Sequence, residues 1–266
     1  MLGLRTALLR GEVKVPLDLS KVKGVTMQSP QDLAKSPTFL FYGRGKTGKT
    51  TLAMSASAVP ELGPVAIVDF EGSAEVGATT YPNVDVYRTS TWAQSSGVLD
   101  ALINQKHDYK TVILDPVNAL QVQLKDEIIR RQAQTQPGAK SNNSMGDRSM
   151  LLSDWDVIWT RIRKILETFH EAPFTTIITA HADTAQDGLG NVVMEPLMQG
   201  NKTKNEVVRV PSVVGYTRMT QTEDGQSVPV IRFAGAPGVV AGDRFRRLPK
   251  EMTNPTMAEI HKAIYS

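Results

Sequence analysis

The chain has no cysteine among its 266 residues. That excludes disulfides, a cysteine nucleophile and zinc ribbons built on thiolates. It fits a reducing compartment, and a cytoplasmic location is expected. Long apolar runs are also missing. No stretch approaches the ~18 apolar residues a membrane helix requires, so no membrane partner is expected. The apolar stretch nearest the N-terminus, Ala7-Leu8-Leu9, is bracketed by Arg5 and Arg10 and is too short for a signal-peptide core. Charge of one sign is scarce: 30 Lys and Arg against 27 Asp and Glu leave a net +3, which permits a polyanionic partner without pointing to one. No internal repeat is visible. What remains is a globular composition, 41% hydrophobic and 21% charged, enough for one large domain with or without an appendage.

Residues 1–36 carry charge and little periodicity and read as a leader or small appendage. Organisation begins at Thr38–Tyr42, a short apolar run of β type that stops at Gly43. A glycine-rich turn follows, then a helix-compatible stretch, Thr50–Val59. Val65–Val68 and Thr111–Leu114 are further buried-strand candidates, each ending on an aspartate, Asp69 and Asp115. Val84–Val86 reads as a minor strand, and residues 91–105 and 118–135 as helices. Residues 150–169 place Leu151, Trp155, Ile158, Ile162, Ile165 and Phe169 at spacings of three and four, the pattern of an amphipathic helix. Thr175–Thr179 is a fourth strand and leads into Ala180-His181. Beyond it, turns at Asp187–Asn191 and Glu223–Ser227 predict hairpins, and Met257–Tyr265 a closing helix. Apolar strands alternating with helices predict an α/β fold, with a mostly parallel sheet covered on both faces. The domains expected are 37–249 as the core and 250–266 as a C-terminal helix.

The strongest motif is Gly43-Arg44-Gly45-Lys46-Thr47-Gly48-Lys49-Thr50, which satisfies G-x-x-x-x-G-K-[ST] between a strand and a helix. Glycines let successive backbone N–H groups turn inward around phosphates, and the following helix adds its positive end. Lys49 supplies a point charge for the β- and γ-phosphates, and the Thr50 hydroxyl reaches Mg²⁺. Thr51 completes the expected nucleotide-binding stretch, with ATP and Mg²⁺ as the ligands.

Asp115, at a strand's carboxyl end, suits the aspartate that holds the metal, although a helix cap is the plainer alternative. Glu71 stands two residues past a strand expected beside the P-loop strand, where a carboxylate can orient and deprotonate the attacking water. Asp69 could take that role instead, but its place at the strand end favours support by hydrogen bonding. His181 faces the crevice where ligands bind and could report on the γ-phosphate. His107, His170 and His261 share no ligand spacing and read as surface or structural.

With the P-loop, Asp69-Phe70-Glu71, Ile113-Leu114-Asp115 and Thr179-Ala180-His181 in that order, the chain resembles the RecA-type ATPase core. Within that family it looks most like phage-encoded RecA-like single-strand-annealing or recombination ATPases, the phage nucleotide-binding AAA-domain proteins. The resemblance covers roughly residues 37–249. It implies a RecA-like sheet with a C-terminal β-hairpin extension, and Glu71 as the catalytic glutamate. It also implies His181 as the residue coupling nucleotide to DNA-binding loops. Partners implied are single-stranded DNA, further copies in a ring or filament, and a single-stranded-DNA-binding protein, in the cytoplasm of a bacterial host. Arg244 matches the arginine that relatives insert into a neighbour's nucleotide. Gly242 stands where their lysine would be, and a surface role in the turn with Arg246 and Arg247 is the alternative.

DNA contact is expected from two segments. One carries Arg130, Arg131, Lys140 and Arg148, the other Lys202 and Lys204; such cations neutralise phosphates and release counterions. Neither segment offers an aromatic for base stacking. Four rivals stand beside this reading. A GTPase is disfavoured because Asn201-Lys202-Thr203-Lys204 lacks the guanine-reading aspartate. A junction nuclease would need Asp69, Glu71 and Asp115 to converge on two metals. A ring-forming helicase-like motor and a nucleotide-regulated binding module without turnover complete the set.

Overall fold

The computed structural model describes residues 36–77, 79–135, 150–186 and 188–266. The first appendage therefore lies outside the described residues, as do Lys140 and Arg148. The remainder belongs to a compact unit, Lys35–Ser266.

Five strands form the parallel centre: β1 (Thr38–Gly43), β2 (Val65–Asp69), β3 (Val84–Arg88), β4 (Thr111–Asp115) and the start of β5 (Thr175–Gln186). Every residue of β1, β2 and β4 is buried, which explains why each reads as an unbroken apolar run and not an alternation. β7 (Val213–Gln221) joins β1 in parallel and then turns back through β8 (Ser227–Arg232) to β10 (Glu251–Thr253), both antiparallel. β6 (Val192–Pro196) pairs with the far half of β5, and the two-residue β9 (Gly242–Asp243) with the start of β7. The strand order is β10-β8-β7-β1-β5-β4-β2-β3.

Alternation along the strands divides the core in two. Leu40, Tyr42, Ala66, Val68, Val112, Leu114 and Ile178 face one side. They meet α2 (Trp92–Asn104), α3 (Val117–Thr135), α4 (Leu152–Glu171) and α5 (Asn201–Arg209). Phe39, Phe41, Val65, Ile67, Ile113 and Ile177 face the other, against α1 (Lys49–Met54) and α6 (Met257–Tyr265). Each such side chain, fully buried, contributes about 1.5–3 kcal/mol. The α/β class with helices on both faces of a mostly parallel sheet is the fold observed, and strands occupy the C-terminal region as expected.

Three details differ from the sequence reading. β2 is not beside β1: β5 and β4 intervene. Apolar runs report burial but carry nothing about lateral order, which helix packing sets. α1 ends at Met54 and continues only as a 3₁₀ turn, Ser55–Ala58, so the helix is shorter than the propensities of residues 50–59 indicate. Residues 201–209 form a helix where only loop and hairpin are legible. Gly200 precedes α5 without a side-chain cap, and only Thr203 and Val207 of its face are buried, so both helix signals are weak. Among the described residues no helix is long and apolar enough to cross a membrane.

Candidate nucleotide site

The parallel strands deliver their carboxyl ends to one edge. Gly43 lies in register with His181 of β5 on one side and Thr217 of β7 on the other, and Asp69 lies opposite Asp115. Polar residues that end apolar runs are thereby gathered along one rim, the rim where ligands bind in parallel sheets.

The P-loop is fixed by backbone demands. A Cβ at Gly43 would fall 2.0 Å from Thr217 Oγ1 and 2.3 Å from Thr217 O, so only glycine fits. Gly48 has φ 81°, in the left-handed region, as does Lys46 at φ 62°. Thr47 is pinned by its neighbours, with Oγ1 donating to Arg44 O at 2.9 Å and lying 2.8 Å from Thr217 Oγ1. Thr217, which no local signal in the sequence marks, thus clamps the loop from the adjoining strand. Arg44, Gly45 and Lys46 are exposed at the tip, and Thr51 is half-buried behind it.

Lys49 is buried, and its ammonium donates to Gly43 O at 3.0 Å and Arg44 O at 2.8 Å. Burial lowers its pKa, opposed by the nearby carboxylates of Asp115 and then Glu71. A phosphate entering the loop meets a positive charge already drawn into it.

Asp115 is the hub of a hydroxyl cluster. Its Oδ2 accepts from Thr50 Oγ1 at 2.9 Å and from Ser73 Oγ at 2.9 Å, and its Oδ1 accepts from Thr179 Oγ1. A hydroxyl and a carboxylate converging in this way form a hard oxygen donor pair of the kind Mg²⁺ accepts when a nucleotide supplies its other ligands. The residues present therefore fit the implied metal.

Asp69, almost fully buried, serves a different purpose. Its Oδ1 accepts from the backbone amides of Gly72 at 2.7 Å, Ser73 at 3.0 Å and Glu71 at 3.3 Å, and its Oδ2 from Ala74 at 3.2 Å. Four amides occupy the carboxylate, so it shapes the loop and is spent as a base or metal ligand. Gly72 holds φ +85°, and a Cβ there would lie 2.5 Å from the Arg88 guanidinium, which donates to Gly72 O at 2.9 Å.

This loop carries Glu71 across the end of β4 to β5. Its two carboxylate oxygens lie 3.1 and 3.3 Å from His181 Nε2, and a hydrogen bond there places the proton on that nitrogen. The His181 backbone N–H donates to Asn118 Oδ1 at 3.0 Å, fixing the middle of β5 against α3. Lys49, Thr50, Glu71, Asp115 and His181 are thus brought to one rim. His170 and His107 hydrogen-bond elsewhere, to Thr38 Oγ1 and Leu102 O.

The other expected residues stand apart. Arg244 follows β9, which pairs with the amino-terminal end of β7, the edge opposite the P-loop. Its guanidinium donates to Val210 O at 3.4 Å and to Arg209 O, at the end of α5. Arg130 and Arg131 both bond Glu127 on α3, and those hydrogen bonds hold its carboxyl well below the usual range, down to about 2. Lys202 pairs with Asp156 at 3.0 Å and lies over the Trp159 ring, and Lys204 pairs with Glu195. Four expected DNA-binding cations are therefore already matched with carboxylates of the same chain.

Fold and rim together define a P-loop ATPase core with a nucleotide-binding site. Residues 35–245 match the family described as an AAA domain, and the chain belongs to that family. Among solved structures it is similar to a KaiC-like protein from the hyperthermophilic archaeon Pyrococcus horikoshii. That likeness is at 14% identity and a TM-score of 0.39, over 74% of this chain and 77% of that one. No curated protein matches the sequence.

Proposed function

We propose that the protein hydrolyses ATP, with Glu71 as the general base, and that single-stranded DNA stimulates this activity in recombination or annealing of the phage type. The observation that carries the hydrolytic reading is the position of Glu71. It lies at hydrogen-bonding distance from His181, which is in register with the first glycine of the P-loop. A carboxylate there is placed to orient and deprotonate a water at the γ-phosphate. Lys49 and the loop amides bind and orient the phosphates. Thr50 and Asp115 would hold Mg²⁺, which when bound neutralises charge developing on the transferred group. His181 holds the carboxylate in place and, as part of β5, links it to the β5–β6 hairpin beyond.

The DNA component rests on the resemblance in sequence, with the β5–β6 hairpin rising from the strand that carries His181 as its structural support. The same resemblance supports a homo-oligomer, and no part of the proposal depends on Arg244. The nuclease alternative is weakened by Asp69, whose oxygens are occupied by backbone amides. The test is steady-state ATP hydrolysis measured across a titration of single-stranded DNA. Slow turnover that rises with DNA is expected. Turnover that stays unchanged at saturating DNA would reject the DNA component, and no turnover at all would reject the hydrolytic reading.

A further inference from the structure

The loop that carries Glu71 has one side-chain connection to the metal-holding carboxylate among the described residues, and it is Ser73. Other bonds hold the loop through its backbone. Asp69 gathers the amides of residues 71–74, Arg88 grips Gly72 O, and Gln123 of α3 donates to Phe70 O at 3.0 Å. These contacts give the loop a shape. Phe70 N–H also donates to the Asp115 backbone carbonyl at 2.8 Å, and Glu71 itself reaches His181, but none of these bonds touches the Asp115 carboxylate. Ser73 Oγ does so, donating to Asp115 Oδ2 at 2.9 Å, the same oxygen that Thr50 Oγ1 bonds at 2.9 Å.

We infer that Ser73 is a positioning residue: through its hydrogen bond to Asp115 it sets Glu71 relative to the metal-holding pair, Thr50 and Asp115. This rests on the function proposed above and extends it to a residue that the P-loop pattern does not mark. Two physical points support it. A hydroxyl bonded to a ligating carboxylate fixes that group's orientation and its electron density, and loss of such an outer partner typically costs about 10–100-fold in metal affinity or activity. The coupling is also reciprocal in binding: whatever the loop contributes to the metal site, the occupied metal site contributes to the loop. With Ser73 only two residues from Glu71 and their backbone amides sharing Asp69 Oδ1, a shift at one is carried to the other.

The experiment uses the full chain with Ser73→Ala and Ser73→Thr. Two quantities are read: kcat and KM for ATP, and the affinity of the protein–ADP complex for Mn²⁺, from the free-ion resonance signal. Ser73→Ala is expected to lower kcat ~10-fold with KM within twofold, and to weaken Mn²⁺ binding ~10-fold. Ser73→Thr retains the hydroxyl and should restore both, and thermal melting should place all three proteins within a few degrees. Wild-type kcat and wild-type Mn²⁺ affinity in Ser73→Ala would overturn the inference. So would equal losses in the alanine and threonine variants with equal melting temperatures, because the hydroxyl would then not be the agent. The Mn²⁺·ADP arm needs no hydrolysis. A wild-type protein that binds Mn²⁺·ADP but never turns over would defeat the proposed ATPase function, while the Mn²⁺ comparison would still decide the role of Ser73.

Discussion

Asp69→Asn separates a carboxylate that builds the site from one that acts in it. The native group offers two charged oxygens to four amides and faces the Arg88 Nε at 3.8 Å. Asparagine keeps one oxygen. If that oxygen takes the Oδ1 position, three amide bonds survive in neutral form, and the new NH₂ group confronts the Ala74 N–H and the guanidinium. A hydrogen bond to a charged group is worth about 1.5–3 kcal/mol and a neutral one about 0.5–1.5 kcal/mol. One charged bond lost and three weakened by about 1–1.5 kcal/mol each give roughly 4.5–7.5 kcal/mol, an upper limit because the loop can open locally without global unfolding. At about 2–4 °C per kcal/mol for a domain of this size, the melting temperature should fall by up to roughly 9–30 °C, or the transition should broaden. Glu71, carried by the same loop, should lose its placement, and a misplacement of about 1 Å costs ~10²-fold in turnover. ATP affinity, set at the P-loop, should stay within threefold. The assays are thermal melting, calorimetric ATP titration and steady-state hydrolysis on one preparation. A variant with wild-type melting and no turnover would show instead that Asp69 acts in the chemistry itself.

Two further predictions concern the P-loop. Lys49→Ala removes a charged partner of the phosphates worth about 1.5–3 kcal/mol, so affinity for a non-hydrolysable ATP analogue should fall tenfold or more by calorimetry; an unaltered dissociation constant would contradict the assignment. Gly43→Ala forces a Cβ to within 2.3 Å of the Thr217 carbonyl, and overpacking against backbone costs about 1–3 kcal/mol or more. Gly45→Ala meets no atom within 4 Å and should melt within ~0.5 kcal/mol of wild type. Equal melting of the two alanine variants would show that the packing of β7 against the loop is not what selects glycine.

The parts of the site that the sequence made legible are those that coincide with a change of pattern. Gly43, Asp69 and Asp115 each end an apolar run and also a strand; His181 reads as a strand end too, but β5 runs on to Gln186 and only its parallel pairing with β1 stops at His181. Strand ends of a parallel sheet share a rim. The P-loop spacing is itself a backbone requirement and needs no tertiary knowledge. Other features depend on which strands become neighbours, and that is set by helices packing across the sheet. Thr217 matters because β7 pairs with β1. Ser73 matters because the loop after β2 folds over β4. Asn118 matters because α3 starts beneath β5. As isolated hydroxyls or an amide in ordinary surroundings, they carry no local signature. The same limit applies to the cations: Lys202 and Lys204 read as loop charges until α5 places them against Asp156 and Glu195.

The proposed hydrolysis depends on the assignment of Glu71 to the attacking water, with the nucleotide held by the P-loop. It is tested most directly by ATP turnover in Glu71→Gln at saturating ATP and Mg²⁺, with the dissociation constant for ATP measured alongside. Glutamine keeps the size and a hydrogen-bonding oxygen near His181 but cannot accept the proton. A fall in kcat of ~10²-fold or more is expected, with affinity for ATP unchanged. A Glu71→Gln enzyme that turns over ATP at the wild-type rate would contradict that assignment.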